Sequence, residues 1–143
     1  MINTRRSIRI LMALAAALLL VACAGAAPSP ASGYVNIDIV FLNHPPVRDV
    51  LSQVDAVLAA YHDKISVTRY DFDTQEGAAF AQQKGLSGHI PLVIFVNGSQ
   101  SFDVNGRHVT FESFPQGAGT GVVPDGAWTM ADLDSVLKAA IEK

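Results

Sequence analysis

Regular alternation of apolar and polar positions begins at Tyr34. Across residues 34–42, Val35, Ile37, Ile39 and Phe41 fall on one side with Asn36 and Asp38 between them, before Val40 and Leu42 make the run continuous. The pattern predicts a β-strand that becomes covered on both faces toward its C-terminal end. His44-Pro45-Pro46 interrupts it. Proline disfavours helical geometry in the residue before it, so His44 and Pro45 are expected outside the next helix, with Pro46 opening its first turn. Val47, Val50, Leu51, Val54, Leu58 and Tyr61 then recur at three- and four-residue spacing. They form one apolar stripe on a helix of about four turns.

Residues 65–72, rich in β-branched and aromatic side chains, predict a second strand. Asp73 followed by Glu76 is an N-cap signature and Gly85 a stop, with a short helix between them. Residues 91–96 are uniformly apolar and predict a third strand buried on both faces. Asn97-Gly98 and Asn105-Gly106 are tight-turn pairs, which extend the sheet as an antiparallel meander through residues 101–114. Residues 115–127 carry four glycines and Pro124 and predict a loop. Thr129 with Asp132 caps a last helix, Trp128 is placed to staple onto Leu133, and Leu133, Val136, Leu137, Ala140 and Ile141 form its apolar stripe. The predicted order is β-α-β-α-β-β-α: an α/β domain with a mixed central sheet of about four to five strands flanked by helices. Its first two strands run parallel because a helix crosses between them.

The segment before this domain has a different character. Arg5, Arg6 and Arg9 precede an uncharged run of 13 residues, Ile10 to Ala22. That length suits the apolar region of an export signal and falls short of the ~20 residues of a spanning helix. The run ends in Leu20-Val21-Ala22-Cys23, which resembles the lipobox of bacterial lipoproteins. The resemblance implies a signal peptide over residues 1–22 and acylation of Cys23, which would hold the protein at a membrane through buried chains. Ala24 is not the aspartate associated with inner-membrane retention, so an outer membrane is favoured where two are present. Residues 4–8 loosely resemble a twin-arginine signal without choosing the export route. Residues 24–33 are small, uncharged and proline-containing, a linker reaching at most roughly 35 Å. Residues 34–143 then form a single domain.

Once the three signal arginines are removed, seven basic side chains face thirteen acidic ones, a net charge of −6. With no basic cluster to offset it, this argues against nucleic acid or an anionic lipid surface as partner of the domain.

The element order and several local strings are similar to the thioredoxin fold, and the similarity extends over essentially all of residues 34–143. His44-Pro45-Pro46-Val47 falls where that family has Cys-Gly-Pro-Cys, with Pro46 on the family's proline. Ile90-Pro91-Leu92 through Asn97-Gly98 resembles the family's Ile-Pro-Thr segment, strand and Asn-Gly turn, which implies a cis proline at Pro91. This chain departs from the family by about three extra residues between Asp73 and Pro91 and by extra segments around 99–107 and 117–128. The chemical departure is larger. Cys23 is the only cysteine, whereas thiol–disulfide exchange needs an attacking thiolate and a second sulfur to resolve the mixed disulfide. The scaffold is therefore expected without the oxidoreductase activity.

On that scaffold His44 would sit at a helix N-terminus beside the Pro91 loop, with His89 facing the same cleft. The expected binding surface is His44, Pro45, Pro46, His89, Ile90, Pro91 and Leu92, and the expected ligand is a protein or peptide of the cell envelope. An alternative is a Cu or Zn site made by His44 and His89, with Asp49 or His108 as a third ligand. The positive helix end opposes a cation there, and no HxxxH-type spacing is present. A third reading uses His44 as an acid or base in an enzyme. Each histidine also fits as an exposed loop residue, and Pro45-Pro46 as a rigid helix start. His62 falls at the end of the first helix, where it complements the macrodipole.

Other strings carry less. The 114–121 loop is glycine-rich but matches no phosphate-binding fingerprint, and no nucleophile elbow accompanies the Ser, His and Asp residues. Asn97-Gly98-Ser99 is a glycosylation sequon already explained by its turn. Phe111, Phe114 and Trp128 are expected in core or sheet-edge packing.

Overall fold

A computed structural model describes residues 34–120 and 124–143. The expected signal segment, Cys23 and the linker lie outside the described residues. Strand β1 (Val35–Phe41) leads into helix α1 (Pro45–Leu58), a 3-10 turn (Ala59–Tyr61) and strand β2 (Ile65–Asp71). Helix α2 (Gln75–Gln83), strands β3 (Leu92–Val96), β4 (Ser101–Val104) and β5 (Arg107–Thr110), and helix α3 (Met130–Ile141) follow.

The main sheet has the order β2-β1-β3, with β1 parallel to β2 and antiparallel to β3. β4 and β5 pair with each other as a separate hairpin. The fold is thus mixed α/β as expected, but the four- to five-stranded sheet is divided into three strands and two. The break lies just after β5, where the Glu112 amide turns back to the Thr110 carbonyl (2.9 Å). Contact with β3 is reduced there to one isolated bridge, Val93 with Glu112, flanked by Ile94 donating to the Phe111 carbonyl (3.0 Å) and Ser113 to that of Leu92 (2.8 Å). Ser113 itself has a φ of +66°. The Asn105-Gly106 turn separates β4 from β5, so the element order has one strand more than predicted.

Side-chain alternation along β1 and β3 builds two cores. Ile37, Ile39, Leu92, Ile94 and Val96 face Val47, Val50, Val54 and Leu58 of α1 and Leu133, Val136 and Leu137 of α3. Phe111, Phe114 and Trp128 complete this core and are almost fully buried, with Phe111 and Trp128 edge-to-face at 5.5 Å. On the opposite face Val40, Val93 and Phe95 meet Ala81 and Phe80 of α2, where Tyr70 stacks on Phe80 at 3.8 Å. α2 has only nine residues, about 14 Å of helix. It covers the C-terminal half of that face, and the half left open carries Asn36, Asp38, Ser66 and Thr68, polar positions that tolerate water.

Helix starts follow the caps, with two corrections. Pro45 and Pro46 both lie inside α1, and His44 is the extended N-cap (φ −106°, ψ 153°). A proline at the first helical position gives up an N–H that has no intrahelical partner there, and this outweighs the penalty before a second proline. Thr74, not Asp73, caps α2: its hydroxyl accepts from Gly77 (3.1 Å), while the Asp73 amide is taken by Asp71 (3.0 Å). At α3 the expected capping box of Thr129 and Asp132 is formed in both directions. The Asn97-Gly98 turn also closes on β1. Asn97 donates its amide to the Asn36 carbonyl (2.7 Å) and accepts the Asn36 amide on its side chain (2.9 Å).

Candidate functional site

The C-terminal end of β1 delivers the chain to two segments at once. The Leu42 amide donates to the Pro91 carbonyl (3.0 Å), and the His44 amide turns back to the Leu42 carbonyl (2.8 Å). The His44 carbonyl then accepts from Val47 (3.0 Å) and Arg48 (3.1 Å), the first bonds of α1. The start of α1 and the loop before β3 are therefore both fixed to Leu42. This brings the rings of His44 and His89 to 6.1 Å between centroids, tilted by 46°. Both histidines are exposed.

Beneath them lies a pocket of about 210 Å³ with Leu42, Val47, Pro91 and Phe114 among its walls and Thr120 at its rim. A second, larger cleft of about 540 Å³ shares Pro46 and Thr120 with it and extends along α1 past Pro45 and Asp49 toward Gln116 and Met130. The apolar walls come from residues whose burial is set by the core, and the polar groups stand at the mouth, the usual composition of a small binding site.

The expected surface residues divide accordingly. His44, Pro46, His89 and Pro91 meet at the small pocket, and Pro45 lines the larger cleft. Ile90 turns instead to the cluster beneath α2. Leu92 is 0% exposed, so its side chain belongs to the core and a partner cannot touch it. The cis proline is also corrected. No cis peptide bond occurs among the described residues, so Pro91 follows a trans bond, the ordinary preference of X–Pro.

The suggested third metal ligands do not join the pair. Asp49 lines the neighbouring cleft, and His108 lies on β5 beside Asp103 (3.1 Å). Among the described residues no three His, Cys, Asp or Glu side chains gather in a group able to hold a metal ion. His62 does sit at the end of the helical segment, its Nδ1 donating to the Ala59 carbonyl (3.2 Å).

The glycine-rich loop is organised by a residue that sequence reasoning missed. The Asp125 carboxylate accepts from the amides of Gly117 (2.9 Å) and Gly119. Amides that a phosphate-binding loop would offer to a ligand are thus occupied by the chain itself, and the loop is held over the larger cleft. The walls Leu42, Val47 and Phe114 were likewise missed as site residues. In the sequence they carry only the signal of core positions, and the pocket lies where those positions meet beyond the C-terminal end of the central strand β1. No protein-family model matches the chain, and no curated protein matches it.

Proposed function

We propose that the chain is an extracytoplasmic lipoprotein, anchored to a bacterial membrane through an acylated Cys23, with a thioredoxin-like domain that binds a protein or peptide of the envelope. The sheet order β2-β1-β3, parallel on one side and antiparallel on the other, with helices against both faces, supports the thioredoxin-like reading. The trans bond before Pro91 departs from it. The observation that carries the binding role is the 210 Å³ apolar pocket at the junction of α1 and Pro91, rimmed by two exposed imidazoles. No sulfur nucleophile lies anywhere after Cys23. A domain with a shaped, apolar-floored corner and no thiol in it is equipped to hold a chain segment, and the larger adjoining cleft gives that segment room to continue.

Selection of peptides from a random library on the purified protein tests this reading. The expected result is a family of binders whose affinity falls tenfold or more when His44 or His89 is replaced by Asp. A Ser66→Asp control, at the far end of the sheet, should leave binding unchanged. Absence of binders, or binders indifferent to both histidines, overturns it. So does thiol-dependent reduction of insulin by the purified protein, because the reading leaves no group to perform it.

A further inference from the structure

We propose that His44 and His89 form a two-histidine site for one transition-metal ion, Zn(II) or Cu(II), with its outer coordination positions open. The inference is independent of peptide binding. It begins with the backbone. His44 is held as the N-cap of α1, and His89 stands two residues before Pro91, whose carbonyl is tied to Leu42. The nearness of the two residues therefore follows from the sheet and the helix start.

The separation fits one ion. An imidazole nitrogen binds zinc at about 2.0–2.1 Å, which puts the ion about 3.2 Å from the ring centre, so two rings on one ion have centres at most about 6.4 Å apart and about 5.2 Å at a tetrahedral angle. The observed 6.1 Å lies inside that limit, and a change of less than about 1 Å reaches the tetrahedral value. No protein group among the described residues hydrogen-bonds either imidazole, so both are free to turn a nitrogen inward.

The donor set selects the ion. Two imidazoles with no carboxylate suit Zn(II) or Cu(II) and give nothing to Mg(II) or Ca(II), which take oxygen ligands. Two features set the affinity at a modest level. The positive end of α1 opposes a cation, and no carboxylate or carbonyl holds the outer nitrogen of either ring. A micromolar site results, with open positions facing solvent for donors from outside the chain.

Calorimetric titration of the whole protein in detergent, with zinc sulfate and separately with copper sulfate in a non-chelating buffer, tests the site. The expected result is one ion per chain, with affinity lowered at least tenfold by His44→Ala and by His89→Ala. His62→Ala and His108→Ala, which remove the histidines beside Asp63 and Asp103, should not change it. NMR of the imidazole groups guards against a variant that merely disturbs the loop: Zn(II) should shift His44 and His89 together in the unaltered protein. Binding weaker than about 100 µM, a shift confined to His62 or His108, or affinity unaffected by either alanine variant overturns the proposal.

Discussion

Arg107, at the start of β5, donates from one guanidinium nitrogen to both carboxylate oxygens of Asp132, at 2.8 and 3.1 Å. Asp132 is 5% exposed and is also the residue that closes the capping box on Thr129. It accepts the Thr129 amide (2.9 Å) and hydroxyl (2.8 Å) while its own amide donates to that hydroxyl (3.2 Å). One carboxylate thus starts α3 and ties it to the hairpin.

Burial by itself pushes the Asp132 carboxyl up, but the Thr129 hydroxyl, Arg107 and the Thr129 amide together hold it below the usual carboxylate range. An acid whose pKa is lower folded than unfolded contributes stability that is complete above the unfolded value, about 3.9. That contribution drains away as pH falls through the folded value. Urea unfolding should show Asp132→Ala costing about 2–3 kcal/mol at pH 7, because Arg107 and two cap donors lose their acceptor. Thr129→Ala should cost about 1 kcal/mol. In Asp132→Asn the decline in stability below about pH 4 should be shallower than in the unaltered protein. An equally steep decline would place the acid sensitivity elsewhere.

At Gly77 the first turn of α2 lies directly against the end of β2. A Cβ built there lies 1.8 Å from the Asp71 carbonyl oxygen and 2.5 Å from its carbon, backbone atoms fixed at the end of β2. Alanine normally strengthens a helix by about 1 kcal/mol over glycine; here the sign reverses. Gly77→Ala should destabilise by about 2–3 kcal/mol, the cost of forcing a group into filled space. The exposed Ala79→Gly change in the same helix should cost about 1 kcal/mol through propensity alone. A neutral Gly77→Ala, read by thermal or urea unfolding, would mean that α2 can slide off the strand end.

These two contacts mark what local sequence could and could not supply. The β1 alternation, both Asn-Gly turns and the Thr129–Asp132 box depend on residues within a few positions of one another, and all three appear where the pattern places them. The capping of α2 was misplaced by one residue because Asp73 and Thr74 are both capping types, Asp the better of the two. The strand ending in Asp71 decides between them. Arg107 is 25 residues from Asp132 and Asp125 lies beyond the loop that it pins, so neither pairing leaves a periodic trace. The meeting of His44 and His89 was legible only through the thioredoxin resemblance. The sheet divides where the Glu112 amide turns back to the Thr110 carbonyl, a local turn that no Gly, Pro or Asn between residues 107 and 113 announces.

Asp38 has the opposite acid–base sign from Asp132. It lies on the half-open polar face of β1, where burial pushes its carboxyl up and Lys84 partly opposes this. An acid whose folded pKa exceeds its unfolded one binds more protons in the native state, so its effect on stability worsens as pH rises through that window. Asp38→Asn should therefore be neutral or stabilising at pH 7 and lose any advantage near pH 3. A clear loss at pH 7 would show that the attraction to Lys84 outweighs the desolvation.

The proposed anchor and the proposed site should be separable. The expected linker ends just before Tyr34 and β1, and the histidine corner lies beyond the other end of that strand. Seven strand residues span about 23 Å, so the corner is at the opposite pole from the tether. Acylation at Cys23 would then tether the domain by the end remote from the pocket. Cys23→Ser should move the protein from the membrane fraction to the soluble or unprocessed fraction. Intact-mass measurement of the unaltered protein should give a chain beginning at Cys23 and carrying acyl groups. Zinc affinity of the Cys23→Ser protein should stay within about twofold of the unaltered value, because no ligand is lost. A membrane-bound Cys23→Ser protein would refute the anchor. A released protein whose zinc affinity collapsed would refute the separation, because the site would then depend on the anchored end.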